Sequence, residues 1–88
     1  MLLFDNNMLN KLETRIVEEM EFIIYEIEND DKVQKIIVAW RKDWNKLSDI
    51  TVYYKSGKSA TFSGSLSNHK MPIKYRNYVK QILKQEGK

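Results

Sequence analysis

MLNKLETRIVEEMEFIIYEIE, residues 8–28, is the stretch whose reading decides the fold. Leu9, Leu12, Ile16, Met20, Ile23 and Ile27 recur at spacings of three and four, the period of one helix face, and Val17 and Ile24 widen the stripe. No glycine or proline interrupts it. Asp5, Asn6 and Asn7 precede it, and their side-chain oxygens suit the unpaired N–H groups of a first helical turn. Asn29-Asp30-Asp31 is a natural stop. The spacing predicts a helix over 8–28. One signal competes: Phe22 to Ile27 is rich in residues that favour strands. On the helix, Phe22 and Tyr25 fall opposite the apolar stripe, near Glu18 and Glu21. An aromatic pair rimmed by carboxylates suits contact with a basic protein surface.

Outward from this stretch, residues 33–47 carry two patterns. Val33, Ile37, Trp40, Trp44 and Leu47 have helical spacing. Lys35 to Lys42 instead contains Ile36-Ile37-Val38, a β-branched run that loses rotamer freedom in a helix. The next segment decides for the strand. Residues 50–63 alternate as a hairpin, and two strands alone are rarely stable in water. A three-residue loop, Lys55-Ser56-Gly57, puts Ile50, Val52 and Tyr54 on the face of Ala60 and Phe62, with Gly57 at the left-handed position. Pro72 opens a last helix with Tyr75, Tyr78, Val79 and Ile82 inward and Leu83 beside them. The expected fold is α+β in the order α-β-β-β-α, a three-stranded antiparallel meander covered on one face by helices. The alternative is α-α-β-β-α. The 88 residues make one domain, 1–88.

Charge divides the chain. Residues 1–31 hold nine acids and two bases; residues 32–88 hold thirteen bases and three acids. The two parts either neutralise each other on folding or give two faces for different partners. Lys55, Lys58, Lys70, Lys74, Arg76, Lys80 and Lys84 are the candidate nucleic-acid contacts, with salt-dependent binding to phosphates. Asn77 and Gln81 add hydrogen-bonding groups to that helix.

Several chemistries find no footing. With no cysteine there are no disulfides, thiolate zinc sites or cysteine nucleophiles, which fits a reducing compartment. His69 is the one histidine and has no partner set for a metal. Gly57-Lys58-Ser59 lacks the earlier glycine of a phosphate loop, because Val52 stands there, and it lies in a hairpin turn. The longest apolar run, Ile36 to Trp40, is far too short to span a membrane, and no signal-peptide core is present. A cytoplasmic protein without cofactor, metal or catalytic residues is expected. Trp40 and Trp44 read as core, and Trp44 is the one better placed for an interface if it follows the strand.

In being short, cysteine-free and rich in Lys, Ile and Asn, with an expected acidic helix and no catalytic motif, the chain resembles the small inhibitor proteins of phages and mobile elements, such as anti-CRISPR proteins. The resemblance rests on general character and transfers no residue roles. It implies a non-enzymatic binding protein that blocks or modulates a partner protein or a protein–nucleic acid assembly. Glu18, Glu21, Phe22, Tyr25 and Trp44 are the candidate partner contacts. A small basic nucleic-acid-binding regulator is the second reading.

Overall fold

Residues 20–27 form a strand. In the computed structural model, which describes residues 9–41, 46–63 and 71–87, the chain folds as five strands and one helix. The strands are β1 (Leu9–Val17), β2 (Met20–Ile27), β3 (Val33–Arg41), β4 (Lys46–Tyr54) and β5 (Ser59–Ser63); the helix is α1 (Ile73–Gln85). The sheet order is β1-β2-β3-β4-β5, each neighbour antiparallel. The α-β-β-β-α expectation is therefore corrected. Residues 9–27 form a hairpin rather than a helix, and among the described residues one helix rather than two covers the sheet.

Two local features make this hairpin look helical in sequence. The register slips between Lys11 and Glu13, so Leu12 is an extra residue, a β-bulge. The bulge shifts the alternation by one, and Leu9, Leu12 and Ile16 end up at spacings of three and four. The turn at Glu18-Glu19, between paired Val17 and Met20, contains none of the usual turn residues. Glu18 is forced to φ 55, where an L side chain is disfavoured by about 1–2 kcal/mol.

The remaining elements follow their sequence signals. Residues 33–41 are a strand. Val52 pairs with Ala60 and Ile50 with Phe62, the tip closes with Tyr54 N–H donating to Lys58 O at 2.9 Å, and Gly57 has φ 95. Pro72 precedes the first turn of α1, and Tyr78, Val79 and Ile82 are its buried residues.

Facing residues of neighbouring strands share a side of the sheet. One side carries Ile23, Tyr25, Ile27, Val33, Ile36, Val38, Ile50 and Val52, all buried, and α1 packs on it through Tyr78, Val79 and Ile82. Each such aliphatic side chain contributes about 1.5–3 kcal/mol on burial, so this layer dominates stability. The other side carries Phe22, Ile24, Ile37 and Ala39 at its centre, with Glu26, Lys35, Asp49, Thr51 and Tyr53 around them. Among the described residues no helix covers it.

Two polar clasps fix α1 at its ends. Near its start, buried Asp30 accepts from Tyr78 Oη at 2.6 Å, Lys74 Nζ at 2.7 Å, and the N–H groups of Lys32 and Val33 at 2.9 and 3.0 Å. Burial alone would raise its pKa. The Lys74 ammonium, the Tyr78 hydroxyl and the two amides outweigh burial and hold the carboxyl well below the usual carboxylate range. At the other end, Glu86 Oε2 accepts from Tyr25 Oη at 2.7 Å and pairs with Lys11 Nζ at 2.8 Å. Burial, and then this carboxylate, push the Tyr25 hydroxyl well above the usual tyrosine range, so it remains a donor. In both clasps an acid and a base from the two differently charged parts of the chain meet.

Candidate functional site

The residues expected to form one acidic contact face are separated by the strand. Successive side chains of β2 point to opposite sides, so Phe22 lies half-buried on the uncovered side while Tyr25 is core, 1% exposed and bonded to Glu86. The aromatic pair on a shared outer face is thus corrected. Glu21 faces Trp40 on the α1 side of the sheet. Glu18 is exposed at the turn. Trp44 falls outside the described residues.

What the first hairpin does bring together is different. Glu18 and Glu19 stand at its tip, both exposed and neither with an ionic partner among the described residues. Val17 is exposed beside them. Val17 faces Met20 across the turn, and Phe22 is next along the same uncovered side. The result is two exposed carboxylates above an apolar strip. Glu19 and Val17 were missed in the sequence because the helical reading put Val17 on the buried stripe. The strand propensity of Phe22 to Ile27 was the signal that pointed the other way.

The basic residues do not gather into one patch. Lys55 and Lys58 flank the β4–β5 turn and, with Lys32, Asp31, Tyr54 and the serines of the turn, line an open cleft of about 420 Å³. Lys74 is tied to Asp30. Arg76 is half-buried, and its Nε is shut away from solvent without a hydrogen-bond partner. Lys80 and Lys84 are exposed on the solvent side of α1. Lys70 and His69 lie outside the described residues. Of the proposed row of phosphate contacts along the last helix, Lys80 and Lys84 are exposed, Lys74 pairs with Asp30 and Arg76 is half-buried.

Among the described residues no three His, Cys, Asp or Glu side chains are grouped to hold a metal, and no helix is long and apolar enough to cross a membrane. Comparison with known proteins finds no family model, no curated relative and no solved structure that matches the chain.

Proposed function

We propose that the protein is a non-enzymatic binding module that seats on a basic protein surface through the tip of its first hairpin, and so blocks or adjusts that partner or the protein–nucleic acid assembly it belongs to. One observation carries this reading: the carboxylates of Glu18 and Glu19, without an ionic partner among the described residues, stand beside exposed Val17 and the partly exposed Met20 and Phe22 on the side of the sheet that no described helix covers. Apolar area at the centre of a contact supplies affinity, while charges at its rim guide encounter and orientation. The same carboxylates repel a phosphate backbone, which favours a protein surface over nucleic acid at this end. Glu18 also holds a backbone conformation that glycine would adopt without strain, and such strain tends to persist where a side chain has work to do.

The test is co-purification from a lysate of the source organism, with and without nuclease treatment. Wild type is compared with Glu18→Lys/Glu19→Lys and with Phe22→Ala. A basic partner that survives nuclease treatment and is lost with both variants supports the reading. A partner retained by both variants, or one released by nuclease alone, overturns it.

A further inference from the structure

The first strand has an edge to spare. β1 lies at the rim of the sheet, nine residues long, and among the described residues nothing pairs with its outer side. Leu12 is 50% and Ile16 58% exposed. A long edge with exposed aliphatic residues is a template for another strand, and proteins normally blunt it with charge, proline, a bulge or shortness. β5, at the opposite rim, is blunted: it has five residues and alternates Ser59, Thr61 and Ser63 on the uncovered side. Past its bulge at Leu12, β1 is not. Its edge charges are one acid and one base, Glu13 and Arg15, which neutralise each other on the same strand, with Arg15 Nη2 at 2.9 Å from Glu13 Oε2. Lys11, the further charge of this strand, is turned toward Glu86.

We infer that β1 pairs with β1 of a second copy, antiparallel about a two-fold axis at Thr14. The segment Leu12-Glu13-Thr14-Arg15-Ile16 is self-complementary in this register. Glu13 faces Arg15 of the other copy and Arg15 faces its Glu13. Leu12 faces Ile16 at both ends. Facing residues must lie on one side of the sheet, which Glu13 and Arg15 do, since they face Ile24 and Phe22 of β2. Centring the axis on Glu13 or on Arg15 sets like charges against each other. Centring it on Leu12 puts the bulge in the middle of the ladder. The Thr14 register alone joins opposite charges and buries both aliphatic pairs. The product is a continuous ten-stranded sheet with both helices on one side. Only the edge of β1 is used, so the inference does not depend on the partner proposed above.

Sedimentation of the full chain over a range from about 10 μM to 1 mM tests this, since a short ladder gives a weak dimer with Kd in the micromolar to millimolar range. Wild type should sediment as a monomer–dimer equilibrium. Glu13→Arg and Arg15→Glu each turn two attractive cross-strand pairs into repulsive ones and should weaken the dimer at least about tenfold. The double variant Glu13→Arg/Arg15→Glu restores both pairs and should dimerise like wild type. Mixing the two single variants should also restore a dimer, because each then supplies what the other lacks. Both exchanged positions, Glu13 and Arg15, are exposed, and circular dichroism confirms that each chain is folded before it is scored. A wild type that stays monomeric throughout, or single variants that dimerise as well as wild type, overturns the inference.

Discussion

The two hairpins at opposite rims of the sheet solve the same geometric problem differently. The β4–β5 hairpin turns on Gly57 at φ 95, a conformation glycine adopts freely, and its outer strand is short and polar. The β1–β2 hairpin turns on Glu18 at φ 55 and ends in a long strand with Leu12, Ile16 and Val17 exposed. The last hairpin has what stability asks for. The first has what stability would remove: a strained glutamate, exposed carboxylates and exposed aliphatic groups. On this contrast rests our proposal that the protein's contacts lie at the first hairpin, while the clasps around α1 hold the rest in place.

The comparison can be sharpened within one strand. Tyr25 and Phe22 belong to the same hairpin but face the clasped and the free side. Tyr25→Ala removes a core ring and leaves Glu86 without a hydroxyl donor; it should cost about 4 kcal/mol or more, close to unfolding a domain of this size. Phe22→Ala should cost about 1–2 kcal/mol, in keeping with its half-buried ring. Urea denaturation of the two variants measures both. Equal losses would erase the distinction between the sides.

The clasp itself gives the next largest effect. Asp30→Asn replaces an ionised acceptor that serves four donors and should cost about 3 kcal/mol at neutral pH, lowering Tm by roughly 10–20 °C. The sign with pH follows from the depressed carboxyl. Its stabilisation is present above the pKa of the unfolded chain, about 4, and is lost as pH falls below that value toward the folded one. The gap in Tm between wild type and variant should therefore be full at pH 7 and narrow between about pH 4 and pH 2. A gap that does not change with pH would mean that Asp30 acts through shape rather than charge.

How much of this could be read from residues depended on whether a turn announced itself. The hairpin at 50–63 was legible down to its register because Gly57 and the alternation of Ile50, Val52, Ala60 and Phe62 require the same pairing. The inward face of α1 was legible from the spacing of Tyr78, Val79 and Ile82. The first hairpin was not, because the bulge at Leu12 imitates helical spacing and Glu18-Glu19 carries no turn chemistry. The expected contact face failed with it: Phe22 and Tyr25 were expected together, but they lie on opposite sides of the sheet, since a helix brings positions three apart together and a strand sets them on opposite faces. The charge division was visible from the start, whereas the pairing of Lys74 with Asp30 and of Lys11 with Glu86 depends on tertiary contacts that no local pattern encodes.

The smallest effect is also the most decisive, because its sign depends on the fold. In a helix over 8–28, Glu18→Gly would place glycine in a helix interior and cost about 1 kcal/mol. In the β1–β2 turn it relieves a left-handed residue, and the variant should be more stable than wild type by about 1 kcal/mol, a rise in Tm of several degrees. Thermal denaturation of Glu18→Gly against wild type under identical conditions is the direct test. A higher Tm is the result this account predicts, and a lower one would contradict the hairpin and the binding surface built on it.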